Sequence, residues 1–149
     1  MGLMALIAGQ AGPCAGVAPA PGPGPVVTGG GLVGVWRADY NDPFVGPATI
    51  ELVLQPDGNF AKQTISAVSL TSISGPYFAD FPAANQLRLT VHDWFPKEFC
   101  GPLGCTVIQP VAGETYIYTL IDANTLQLRD FYCVDGQGFP CTLTYVRTG

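Results

Sequence analysis

Four cysteines lie in two close pairs, Cys100/Cys105 and Cys133/Cys141, and they are the residues in this chain best suited to forming a covalent or metal bond. Four residues separate the first pair and seven the second, whereas zinc knuckles use a spacing of about two. The pairs therefore read as disulfides, which places the folded chain in an oxidising compartment, extracellular or periplasmic. Four cysteines allow three connectivities, and the sequence leaves all of them open. A further cysteine, Cys14, is left over.

The other reactive side chains form no reaction centre. His92 is the single histidine. A catalytic triad needs a nucleophile and an orienting acid around it, and Asp93, its neighbour, points to the opposite face if this stretch is a strand. No phosphate-cradling loop, dinucleotide fingerprint or His-Glu-x-x-His motif is present. Asp39 and Asp42 lack the ligand spacing of a calcium loop. The expectation is a protein that is not an enzyme, with no catalytic residue, metal or cofactor. Net charge is −5, and the basic residues Arg37, Lys62, Arg88, Lys97, Arg129 and Arg147 are scattered singly. No basic stripe is available to neutralise phosphates, which argues against nucleic acid and against an anionic membrane surface.

The elements that would position these residues are strands. Ala48–Gln55 sets Ile50, Leu52 and Leu54 against Glu51, Val53 and Gln55, a period of two. Pro56-Asp57-Gly58-Asn59 reads as a hairpin turn, and residues 59–68 return with Phe60 as anchor. Residues 32–38, 75–80, 86–92, 115–121, 126–132 and 142–147 add six more strands, with Asp122-Ala123-Asn124-Thr125 as a second turn. No helix is evident. About eight strands joined by short turns predict an antiparallel up-and-down meander, which closes into a barrel and removes its exposed edges. The irregular stretch from Trp94 to Pro110, with one cysteine pair and three apolar rings, is expected to pack as a lid or plug.

Residues 1–31 read as a separate region, and 32–149 as the barrel domain. Residues 1–36 contain no charged side chain, and Gly2–Ala8 is an apolar run of seven. That run is too short to span a bilayer, which takes about 20 residues. It suits the apolar part of a signal peptide, with Ala18-Pro19-Ala20 as a cleavage site, although no basic residue precedes it. Residues 19–31, rich in proline and glycine, are a linker by composition, either a tether or an arm that docks on another subunit.

The opening Gly34-Val35-Trp36 on the first strand resembles the Gly-x-Trp motif of the lipocalins and the wider calycin group. In addition, Leu32-Val-Gly-Val-Trp-Arg37, Leu54-Gln-Pro-Asp-Gly-Asn-Phe60 and Tyr116–Leu128 resemble small bacterial lipocalin-like exported proteins. The group's Thr-Asp-Tyr-type turn has no counterpart here. The resemblance implies that an arginine from a late strand packs over Trp36 and closes one barrel end. Arg147 is the best match, and Arg129 the second. It also implies a barrel that binds a small apolar molecule.

Two functions follow. In the first, an exported binding module takes a small hydrophobic ligand among Phe60, Leu89, Tyr116, Tyr118 and Leu128, the inward residues of alternating strands. In the second, the chain is a structural subunit of an extracellular filament or surface assembly. The uncharged arm 1–31 would then join a neighbouring copy by strand addition, with Cys14 available for a bond between subunits.

Overall fold

The structure, a computed structural model, describes residues 30–149. The leader, the arm before Gly30, its assembly role and Cys14 lie outside the described residues. A short 3-10 turn at Gly30–Leu32 leads into β1 (Gly34–Asp42), β2 (Gly46–Leu54), β3 (Asn59–Ser66), β4 (Leu70–Ala79) and β5 (Gln86–Thr90). An excursion follows, containing β6 (Asp93–Phe95), β7 (Glu98–Gly101) and β8 (Gly104–Val107). β9 (Gly113–Asp122), β10 (Thr125–Asp130) and β11 (Thr142–Arg147) complete the fold.

Eight of these strands form a closed antiparallel barrel in the order β1-β2-β3-β4-β5-β9-β10-β11 and back to β1. β3 and β4 pair from Asn59↔Pro76 to Ile65↔Leu70. β11 meets β1 through Arg147↔Trp36 and Val146↔Arg37. The expected up-and-down barrel is thus present. Around the barrel every pair of neighbours is consecutive in sequence except β5–β9, which the excursion separates, and β11–β1, which closes the barrel. At the second hairpin, Gly58 adopts a φ of 88°, and Asp57 Oδ1 accepts from the Asn59 amide at 3.0 Å. Among the described residues no helix is long and apolar enough to cross a membrane.

The period-two pattern sorts the side chains as expected. Trp36, Ala38, Ile50, Leu52, Leu54, Phe60, Tyr77, Leu87, Leu89, Leu126, Leu128 and Tyr145 are buried in one core. Strands that rise and fall give the barrel two poles. The chain reverses at 55–58, 80–85 and 123–124 at one of them, where Leu32 and the C-terminus also lie. It reverses at 43–45, 67–69 and 131–141 at the other, from which the 91–112 excursion also leaves.

The stretch Trp94–Pro110 corrects one expectation, since it is neither a lid nor a plug. Its first part is β6, which pairs with β4 through Ile73↔Trp94. The rest is the hairpin β7–β8, exposed throughout. Cys100 and Cys105 face each other directly in its register and are joined. A four-residue ladder braced in this way holds its shape without packing on the barrel, so Phe99 and Leu103 stay in solvent. Trp94, Pro96, Ile108 and Pro110 are half-buried, and Trp94 is held in place. Its Nε1–H donates to the Ile108 carbonyl at 3.1 Å, and the Lys97 ammonium sits 3.7 Å over its ring. Gly75 lets β5 turn toward β6, since a Cβ there would strike the Thr90 carbonyl oxygen.

Candidate functional site

One pole of the barrel is sealed. Trp36 is fully buried, and its Nε1–H donates to the Leu32 carbonyl at 2.8 Å. The Arg147 guanidinium lies 4.3 Å over the Trp36 ring. Its Nη1 and Nη2 donate to the carbonyls of Val33 and Gly31, both at 2.7 Å, and its Nε to Ala123 at 2.8 Å. A Cβ at Gly34 would collide with the same guanidinium. Gly34, Trp36 and Arg147 therefore form one closure, reached from both ends of the barrel sequence. Arg129 is elsewhere, paired with Asp135 at 3.4 Å.

The residues expected to bind a ligand fall mostly in the packed middle. Phe60, Leu89 and Leu128 keep 2%, 1% and 2% of their surface accessible, and Tyr118 9%. Tyr118 donates its hydroxyl to Asp80 at 2.8 Å. Burial, then Asp80, pushes that phenol up to about 12. Tyr77 is likewise pushed up to about 12 by burial and the Asp57 charge, and its hydroxyl donates to the Gln55 carbonyl. Tyr116 stands apart from these four, half-buried against the core and nearer the other pole.

At that pole the inward faces turn polar. Lys62 on β3 and Glu114 on β9 meet across the interior at 2.7 Å, with side chains only 12% and 26% exposed. Tyr116 completes the cluster. Its hydroxyl donates to Glu114 Oε1 at 2.5 Å and accepts from Lys62 Nζ at 3.0 Å. Lys62 alternates with Phe60 and Thr64 along β3, and Glu114 with Tyr116 along β9, so strand parity points both into the barrel. Burial, then the Glu114 carboxylate, holds the Tyr116 phenol well above the usual tyrosine range. The same two causes, with Tyr40, raise Tyr145. Tyr40, raised by burial and by Asp42, joins Ile73, Val91 and Leu143 as partly buried apolar neighbours. An ion pair this sheltered carries a desolvation cost that its Coulomb attraction repays only with good geometry and further hydrogen bonds. The phenol supplies one of these.

The remaining candidates are dispersed. The Cys100–Cys105 and Cys133–Cys141 disulfides form, so each close pair closes its own loop. Glu98 lies with Cys100 and Cys105 in a group with metal-ligand spacing, but the two sulfurs are bonded to each other. His92 is exposed, with its amide on the Ser74 carbonyl. Asp39 and Asp42 serve different faces. Asp39 accepts from Thr49 Oγ1 at 2.6 Å, which, ahead of Arg37, lowers its carboxyl below the usual range. Asp42 caps the turn by accepting from the Phe44 and Val45 amides.

Lys62 and Glu114 were the residues that strand periodicity alone did not single out. Parity with Phe60 and with Tyr116 was the available signal. Their meeting was not, since they are 52 positions apart in sequence. No protein-family model matches the chain, and no curated protein matches it.

Proposed function

We propose that this protein is a non-catalytic, exported, lipocalin-like binding module that takes a small hydrophobic ligand at the barrel pole opposite the Trp36–Arg147 closure. The observation that carries this reading is the inward-facing Lys62–Glu114–Tyr116 cluster, with Tyr40, Ile73, Val91 and Leu143 partly buried against the same core. Apolar walls with a few convergent polar groups are the usual make-up of a small-molecule site. Among the described residues Lys62 uses two of its three N–H donors, which leaves one for a ligand carbonyl, hydroxyl or carboxylate. The expected residues Phe60, Leu89, Tyr118 and Leu128 would then be the packed floor under the ligand, and Tyr116 its wall. Two disulfides fit an oxidising location. An exposed His92 and disulfide-bonded cysteines support a role without nucleophilic catalysis.

Titration with the neutral dye N-phenylnaphthylamine tests this. Saturable fluorescence that weakens about tenfold in Tyr116→Ala is expected, a loss of about 1.4 kcal/mol of binding. Dye uptake that does not saturate, or that is identical in Tyr116→Ala, would overturn the reading.

A second reading is a structural subunit linked through residues 1–31, and one observation favours it. Gly30–Leu32 sits at the sealed pole. The point at which residues 1–29 join the described fold is therefore at the pole opposite the Lys62–Glu114 pair, a placement that suits a head-to-tail assembly. Electron microscopy of the secreted protein checks for filaments.

A further inference from the structure

Exposed apolar side chains lie mostly at one pole, with Phe81, Ile121 and Val146 toward the other. The pole opposite the Trp36–Arg147 closure carries Phe44 in its first reversal, Val68 in the next, Phe99 and Leu103 on the β7–β8 hairpin, and Tyr132 and Phe139 in the loop closed by Cys133–Cys141. Leu103, between the two hairpin strands, is fully exposed. Phe44 and Phe139 come from distant parts of the chain, yet their rings lie 5.8 Å apart. Both disulfides brace segments of this rim, so its apolar side chains are held outward instead of collapsing onto the barrel. Asp93 pairs there with Lys97 at 2.6 Å and Arg129 with Asp135 at 3.4 Å, while Asp42, Glu98 and Asp130 have no ion-pair partner among the described residues, so the rim is net acidic.

We propose that this rim is a docking surface for a neutral, zwitterionic lipid surface. The inference rests on the mouth being the ligand site, because a hydrophobic ligand dissolved in lipid would then reach Lys62 and Glu114 directly. Three features select lipid as the occupant. The apolar groups sit on separate turns that all leave one pole, an arrangement that meets a plane better than it meets a peptide, which needs a continuous groove. Phenylalanine, leucine and tyrosine at loop tips are residues that partition into a headgroup–acyl boundary. The acidic balance of the rim and the absence of a basic cluster among the described residues select a neutral interface over an anionic one, which would repel it.

Co-sedimentation of the full chain with sucrose-loaded phosphatidylcholine vesicles is the test. The protein is expected to pellet with them, and adding phosphatidylserine is expected not to strengthen binding. Leu103→Asp should weaken partitioning about tenfold or more, as removal of a buried leucine contact would. An unchanged unfolding midpoint shows that this exposed substitution leaves the barrel folded. Failure to pellet at millimolar lipid would overturn the proposal. So would a rim-dependent dimer or polymer, seen by light scattering, that vesicles do not dissociate, since the occupant would then be another copy. Dye titration without vesicles separates the two ideas. Dye binding without vesicle binding refutes the docking surface alone, whereas vesicle binding without dye binding supports docking and refutes the ligand site.

Discussion

Removing the Arg147 guanidinium tests the closure of the sealed pole. In Arg147→Ala the Trp36 ring loses a cation 4.3 Å above it, worth about 1 kcal/mol for a partly sheltered pair. The bond to the Val33 carbonyl is partly buried and should contribute about 1.5 kcal/mol, as a charge-assisted bond does. Those to Gly31 and Ala123 are exposed, and water replaces them at a cost of about 0.5 kcal/mol each. The expected loss is about 3.5 kcal/mol, read as a shift of the urea midpoint at constant slope. The thermal midpoint should fall by about 10 °C. Arg147→Lys keeps the charge but can reach only one of the three carbonyls, so it should lose about 2 kcal/mol. Arg129→Ala, which breaks only an exposed ion pair, is the control and should cost less than about 0.5 kcal/mol. If Arg147→Ala unfolds within about 0.5 kcal/mol of the parent, the closure carries no stability and the argument fails.

Four further outcomes are expected. Glu114→Leu leaves Lys62 sheltered without its counter-charge and should cost about 2 kcal/mol, while adding Lys62→Met should recover most of it; a double-mutant cycle of these two substitutions by urea unfolding measures the coupling. Stability should hold below pH 10 and fall above it. Tyr77, Tyr116, Tyr118 and Tyr145 all ionise at higher pH folded than unfolded, so between the two pKa values the folded state binds more protons and loses at most about 1.4 kcal/mol per pH unit for each buried tyrosine. Tyrosinate absorbance and urea midpoints from pH 8 to about 12 follow it, and stability rising in that window would refute it. Replacing Cys133 and Cys141 by serine should cost about 2–3 kcal/mol, whereas the same change at Cys100 and Cys105 should leave the barrel midpoint in place, because that hairpin is exposed throughout. Gly75→Ala drives a methyl into the Thr90 carbonyl and should destabilise by about 2 kcal/mol, checked by thermal unfolding.

The alternation of Ile50, Leu52 and Leu54, the Pro56-Asp57-Gly58 turn and the final strand Thr142–Arg147 were enough to give an antiparallel barrel, because strand faces and hairpin turns are local properties of the chain. Other stretches were less legible. β1 runs on to Asp42 and β4 begins as early as Leu70, since the polar ends of both strands are held by ladder partners that residue types do not announce. The β7–β8 hairpin was missed because it is too short to show a period and is stabilised by a bond between opposed cysteines.

By itself, then, the sequence determined the strands, their inward faces, the meander and the two cysteine pairs, all of which depend on neighbours a few residues apart. Only the tertiary structure decided which cysteines bond, where the apolar rim gathers, and that Lys62 meets Glu114. Those contacts join residues from opposite walls or separate turns, and their distance is set by closing the barrel, a condition no local pattern contains.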